Sequence, residues 1–429
     1  MAKKDEVVRK PKLNIMCFGY NGVNNTGSEA KLFTTLMDLK EVFGPRLGQV
    51  TIMTQSIDQQ RRYTPDPAYK LIEVGPATVF SPAQWFVMRD TDILMLSEGS
   101  TFIDHFSPLF LGMFCFAAIA AKGRGHKVVA YANDCGHLKP SSQKLLKYTM
   151  NNKVDLVMLR NPDAFKRMRE YGVTVPISVT ADGAYEYPTP PATHKEKVLK
   201  RLNLDPARKK IVGIAPKEFF WWPIKPRLHG DKSDLYKWPF YQSWTPEARE
   251  SSRKYVDESA RYSDWLVDTY DVDIAMIAME HMDSPPAIQI VEKMKHKDRV
   301  HLVHSDENTV DDIVCVLSAL WFQVTTRYHT TVLASPFGIP MISISSDTRC
   351  EAVFRELGIM DLYIDYVGHP ERVPRIKDLY GTLVDMTKKL VGREKDLRAK
   401  AVEMHPKFHE RARMNVKLLK EWLEKNFPV

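Results

Sequence analysis

Long apolar runs are missing from this sequence. The longest, Leu109 to Ala121, contains Gly112 and falls short of the roughly 20 residues a bilayer-spanning helix needs, so it predicts a buried helix. The opening Met1-Ala2-Lys3-Lys4-Asp5 has no apolar stretch behind it, which predicts no signal peptide and a cytoplasmic protein. Cysteine is scarce: Cys17, Cys115, Cys135, Cys315 and Cys350, an odd number with no pair at metal-ligand spacing. Reduced thiols are expected, with neither a disulfide framework nor a metal site. The chain carries a net charge of +8 but no dense basic face with interleaved aromatics. From Lys388 to Lys425, Lys, Arg and Glu alternate around Leu and Val at helical spacing. Nucleic acid is therefore not an expected partner, although the positive excess would favour anionic substrates by steering. There is no internal repeat at solenoid spacing, no correctly spaced dinucleotide fingerprint and no P-loop.

What is present reads as two doubly wound α/β domains. A length of 429 residues suits two cores rather than one. Short apolar, β-branched runs (Asn14–Phe18, Gln49–Thr54, Lys70–Val74, Asp92–Leu96, Lys127–Tyr131, Asp155–Leu159) alternate with helical patterns such as Glu29–Phe43 and Pro162–Tyr171. That alternation means a parallel sheet covered on both faces. The stretch Tyr187 to Thr193, with Pro188, Pro190 and Pro191, is the linker. The pattern then restarts with strands at Lys210–Ala215, Asp273–Ala278, Val300–Val303, Pro340–Ser345 and Leu362–Asp365, and helices at Val310–Phe322 and Arg349–Leu357. The expected division is an N-terminal Rossmann-like domain over 1–187, a linker over 188–197, a second Rossmann-like domain over 198–384 and a helical segment over 385–429. An insertion over 219–245 fits neither period and is rich in aromatics: Phe219, Phe220, Trp221, Trp222, Trp238, Phe240, Tyr241 and Trp244. It reads equally as a sugar-stacking surface or as a small satellite core.

In open parallel sheets, ligands bind beyond the carboxyl ends of the strands, so polar residues just after strands are the first suspects. The loop from Gly19 to Glu29, containing Gly22 and Asn25, leads from a strand into a helix and could host an anion or simply make a turn. Ser97 to His105 offers Glu98, Asp104 and His105 as an acid and a base, or as a polar loop. Thr325 to Thr330 offers the guanidinium of Arg327 for a carboxylate or phosphate and His329 for proton transfer near neutral pH. Arg349 follows the next strand and could complete an anion clamp. Arg160, Asp182 and His281 are lesser candidates, each just past a strand.

These residues bring out a resemblance covering roughly Asn14 to Tyr366. The chain resembles the polysaccharide pyruvyl transferase family in Gly19-Tyr20-Asn21-Gly22 through Asn25-Thr26-Gly27-Ser28-Glu29-Ala30, in the strand ending at Arg160, in Thr180-Ala181-Asp182, and most specifically in Arg327-Tyr328-His329 with Gly338-Ile339-Pro340. It departs at Ser28, where the family commonly has Asp, and at Ser97–Ser100, a reduced glycine-rich turn. The resemblance implies two Rossmann-like domains facing across a cleft, similar to GT-B glycosyltransferases. It implies phosphoenolpyruvate as donor substrate, with no separate cofactor, and a saccharide or glycan-lipid acceptor whose hydroxyls would form a ketal. It also implies donor contacts from Arg327, Tyr328 and Arg349, with His329 as proton donor and Asp104 as base. Glu98, Gly22, Asn25, Arg160 and His281 complete the expected substrate site. A nucleotide-sugar-dependent GT-B glycosyltransferase and a non-catalytic glycan-binding relative remain the alternatives.

Overall fold

The computed structural model describes residues 12–75, 88–230, 240–367 and 374–428. The first domain is built on seven parallel strands: β1 (Leu13–Phe18), β2 (Leu47–Thr54), β3 (Lys70–Glu73), β4 (Ile93–Leu96), β5 (Lys127–Asn133), β6 (Leu156–Leu159) and β7 (Ser178–Val179). They lie in the order β3-β2-β1-β4-β5-β6-β7. The second domain uses β8 (Ile211–Ala215), a two-stranded hairpin of β9 (Lys225–Pro226) and β10 (Phe240–Tyr241), then β11 (Asp273–Ala278), β12 (Val300–His304), β13 (Phe322–Thr325), β14 (Met341–Ile344) and β15 (Tyr363–Ile364). Its parallel sheet runs β12-β11-β8-β13-β14-β15. Both sheets are doubly wound. Each reverses direction at one place, between β1 and β4 in the first and between β8 and β13 in the second.

Burial explains why these segments are strands without alternation. Every residue of Ile93–Leu96 and of Ile211–Ala215 is buried, because helices cover both faces of each sheet. Leu32, Leu36 and Leu39 of the helix Thr26–Phe43 face one side of the first sheet. Phe114, Ala118 and Ala121 of the helix Pro108–Gly123 face the other. The apolar run Leu109–Ala121 is therefore a core helix, and among the described residues no helix is long and apolar enough to cross a membrane. All five cysteines are buried and free.

Several sequence expectations need correction. The helix expected over Val310–Phe322 stops at Leu317, and Phe322 opens β13. Phe322 is fully buried in a central strand, a packing role that a continuous apolar run cannot distinguish from a helix end. The linker does not extend to residue 197, because a helix starts at Ala192 directly after Pro191. A helix of 25 residues, Pro246–Tyr270, follows the aromatic insertion and had no counterpart in the sequence reading. The final helix, Glu394–Asn426, returns to the first domain. Leu419, Trp422 and Leu423 join that domain's core, and Asn415 donates to the Ala181 carbonyl at 3.0 Å. Arg413 reaches Glu41 at 2.6 Å and Glu186 at 3.0 Å. This helix straps the two domains together and so fixes the cleft between them.

Candidate functional site

The carboxyl ends of both sheets face one cavity of about 520 Å³, a volume in the range of small-molecule sites. Its walls come from the loops after β1, β4 and β5 in one domain and after β8, β11, β13 and β14 in the other. Both reversal points therefore open into the same space.

On the first-domain side, Asn25 caps the helix Thr26–Phe43. Its carbonyl accepts the N–H groups of Gly27 and Ser28, each at 3.1 Å. The Thr26 N–H donates across the cleft to the Met279 carbonyl at 2.9 Å. Glu98, just past β4, ties two loops together. Its carboxylate accepts from the Tyr20 N–H at 3.2 Å, the Ser28 hydroxyl at 3.2 Å and the Ser100 N–H at 3.0 Å. Ser28 is thus a donor to a carboxylate, a role an Asp at this position could not fill while ionised.

On the other side, Thr326 is pinned to the end of β8, with its N–H and hydroxyl both donating to the Ala215 carbonyl. This holds Arg327 at the N-cap of the helix Tyr328–Ala334 and places His329 in its first turn. The Arg327 guanidinium donates to Asp283 at 2.6 Å and pairs with Glu280 at 2.8 Å. Arg349 is held by Asp347 at 2.6 Å and crosses the cleft to the Ser100 hydroxyl at 2.5 Å. The Tyr328 ring lies between two guanidinium groups, Arg160 at 4.9 Å and Arg349 at 5.3 Å.

His329 keeps 12% side-chain exposure and lines the cavity. Its Nε2 stands 3.6 Å from the Asp182 carboxylate, beyond hydrogen-bond range. Burial pushes its pKa below that of an ordinary histidine. Asp182 pulls it back up, and Arg160 and Arg349 press it down again. The ring fits because residue 27 has no side chain: a Cβ there would come 1.9 Å from His329 Nδ1. Gly27→Ala should therefore displace the imidazole and cost about 1–3 kcal/mol of stability, as overpacking does. Melting curves should show that loss, and it should largely vanish in a His329→Ala background, where the clash is gone. Equal losses in both backgrounds would mean the glycine serves something else.

The structure thus brings Asn25, Glu98, Arg327, Tyr328, His329 and Arg349 to one cavity. His105 also lines it, whereas Asp104, Gly22, His281 and Arg160 do not. Asp104 is buried, and its carboxylate accepts the Lys139 N–H at 2.8 Å, fixing the loop before the helix Pro140–Lys153. Gly22 serves a turn: its φ is +71°, its N–H donates to Glu29 at 2.9 Å, and a Cβ would strike Thr54. His281 pairs with Asp306 at 2.7 Å, and its side chain is 59% exposed. Arg160 lies behind the cavity wall, fully buried against Asp182 and 3.6 Å from Asp134, in space left by Gly99. Of the aromatic insertion, Phe220 and Trp221 are core, whereas Phe219 and Trp222 also line the cavity, so the satellite-core reading holds for the first two and the last two face the space where a ligand would sit. Trp238 lies outside the described residues.

Two cavity cations were missed, Arg375 and Lys217. Lys217 follows β8 by two residues and lines the site. The rule that polar residues after strands are suspects would have found it, but Ala215-Pro216-Lys217 carries no motif to draw attention. Among the described residues, no group of three or more acidic, histidine or cysteine side chains is placed to hold a metal ion.

The fold is shared with solved structures of low sequence identity. These include HepE of Anabaena in complex with UDP-glucose (11% identity, TM-score 0.60, covering 96% of this chain and 100% of that one). MnaA of S. aureus with UDP (13%, 0.62, 96% and 97%) and the UDP-GlcNAc 2-epimerase of Neisseria meningitidis bound to UDP-GlcNAc (12%, 0.63, 95% and 99%) are similar too. They establish the two-domain GT-B-like architecture. No curated protein sequence matches the chain. The sequence pattern of one family does match, across residues 57–348, a span that takes in the second-domain Arg327-Tyr328-His329 block: this chain belongs to the polysaccharide pyruvyl transferase family.

Proposed function

We propose that the chain transfers the pyruvyl skeleton of phosphoenolpyruvate to two hydroxyls of a saccharide or glycan-lipid acceptor, forming a ketal and releasing phosphate. The observation that carries this reading is His329. It is an imidazole on the cavity wall, within 3.6 Å of a carboxylate and close to the cations Arg327 and Arg349. Addition to an enol phosphate draws on that combination. A proton delivered from His329 to the donor's methylene carbon leaves carbon 2 electron-poor. An acceptor hydroxyl attacks there and gives its proton to a base. The C–O bond to phosphate then breaks, and the second hydroxyl attacks the same carbon, its proton passing to the imidazole of His329, which closes the ketal and restores the acid. Arg327 and Arg349 offset the donor's negative charge. Glu98, on the first-domain wall, replaces Asp104 as the base, because Glu98 lines the cavity and Asp104 does not.

The direct test supplies phosphoenolpyruvate with a panel of saccharides and glycan-lipids and follows phosphate release together with acceptor mass. Release that depends on acceptor is expected. A second reading, nucleotide-sugar transfer, draws on the fold neighbours solved with UDP and UDP-sugars. A thermal-shift panel separates the two, since a ligand of the native state raises Tm. Stabilisation by UDP-sugars and none by phosphoenolpyruvate would replace the first reading by the second.

The depressed pKa of His329 gives a pH signature. The acid form is the active one, so kcat/KM should fall as pH rises through the free-enzyme pKa, which lies below 6.5. Bound donor adds negative charge and favours the imidazolium, so the corresponding limb of kcat should lie at higher pH. A kcat/KM that instead rises with pH in this window would remove His329 as the acid.

A further inference from the structure

We infer that Lys217 takes the phosphate of the anionic donor in direct contact. Only the identity of that donor rests on the pyruvyl-transfer reading. The inference begins with how the cavity's other cations are occupied. Arg327 is bound by Asp283 and Glu280, Arg349 by Asp347, and Arg375 by Asp365 at 2.6 Å. An anion reaching any of these guanidinium groups must share it with a carboxylate already in place. Among the described residues, no carboxylate is in ion-pair contact with Lys217. Its ammonium instead faces the rings of Phe219 at 5.3 Å and Trp222 at 4.7 Å.

Position reinforces the point. Thr325 of β13 pairs with Ala215 of β8 in the parallel ladder, and Arg327 and Lys217 each stand two residues further on. The two cations therefore project from adjacent strands at the same level, at the reversal point of the second sheet. Gly27, in the first turn of the helix Thr26–Phe43, and Glu98, in the loop after β4, wall the cavity from the other domain. Lys217 is half-buried because it borders the cavity, while protein encloses it elsewhere. That enclosure, with Arg327 nearby, brings its amine down to about 8. Glu280, Asp283 and Asp347 act on this amine only from beyond ion-pair contact, so its enclosure stays costly, and an incoming dianion in direct contact relieves that cost. The aromatic rings beside it exclude water, which strengthens such a pairing.

Lys217→Met and Lys217→Arg test this, with inorganic phosphate and phosphoenolpyruvate as probes. Both probes should raise the Tm of the wild type. Lys217→Met should fold, should lose most of the phosphate-induced shift, and should raise the KM for phosphoenolpyruvate by roughly 30-fold or more, as loss of an enclosed charge contact does. Lys217→Arg keeps the charge and should retain the phosphate shift and most of the turnover. A Lys217→Met protein with wild-type phosphate shift and wild-type KM would overturn the inference. So would a Lys217→Arg protein that keeps KM but is as inactive as the Met variant, since that pattern belongs to a proton-transfer group. If phosphate stabilises the wild type through Lys217 but no acceptor elicits phosphate release from phosphoenolpyruvate, the anion site stands and the pyruvyl-transfer reading falls. Turnover that proceeds without any dependence on Lys217 has the opposite meaning.

Discussion

His329→Ala should lower kcat for pyruvyl transfer by about 10²–10⁴-fold, the usual worth of one positioned proton donor. The loss should fall mainly on kcat. The cations proposed to hold the donor, Arg327 and Arg349, are fixed by their own carboxylates and do not depend on the imidazole. Stability should change little, because His329 Nε2 makes no hydrogen bond and the neighbouring Arg160–Asp182 pair survives its removal. Activity and melting temperature therefore separate in this variant. His329→Gln tests the same point with the side-chain volume largely kept: it should be as slow as the alanine variant, since an amide cannot deliver a proton at neutral pH. Phosphate release measured with saturating phosphoenolpyruvate decides the matter. Turnover within a few-fold of wild type in either variant would take the imidazole out of the chemistry.

The sheets were legible in the sequence because their strands are buried on both faces. Runs such as Ile93–Leu96 and Ile211–Ala215 have no polar position to confuse the pattern. The second-domain wall of the cavity was partly legible for a related reason. Arg327, His329 and Arg349 follow central strands, and strand ends locate a cleft in any doubly wound sheet. What stayed hidden depends on contacts far apart in the chain. Asp104 and Glu98 look alike as carboxylates after β4. Only the fold shows that Asp104 turns to Lys139, which lies 35 residues further on, while Glu98 faces the cavity. His281 follows a strand as Glu280 does, yet it pairs with Asp306, which also accepts from Asn24, and Glu280 goes to Arg327. The closing role of the last helix was equally invisible, because amphipathic spacing does not say which domain an apolar stripe will meet. Lys217 was missed for the plainest reason: a lone lysine after a proline carries no pattern, and its significance comes from the carboxylates that occupy its neighbours.

Breaking the Arg160–Asp182 pair should produce the largest stability effect of any single charge change here. Both side chains are fully buried, and removing one partner of such a pair costs about 3–5 kcal/mol, because the remaining charge has no solvent to turn to. Asp182→Asn and Arg160→Met should each approach that cost in denaturant titrations. The double variant should cost clearly less than the sum, since neither charge is then left alone. Acid titration adds a second check. Burial alone would push the Asp182 carboxyl up, but Arg160, His329 and Lys31 outweigh it and hold the group well below the usual carboxylate range. A depressed pKa means that its contribution to stability is complete above about 3.8, the ordinary value, and is lost only as pH falls through the lower, folded-state value. The stability gap between wild type and Asp182→Asn should therefore not narrow from neutral pH down to about pH 5, where the easier protonation of His329 beside Asp182 can only widen it, and should narrow only in stronger acid. Activity should fall in both variants beyond what instability explains at 25 °C, because Arg160 and Asp182 are the groups that set the environment of Tyr328 and His329. A gap that closed near neutral pH, or an additive double variant, would show that these two residues do not act as a pair.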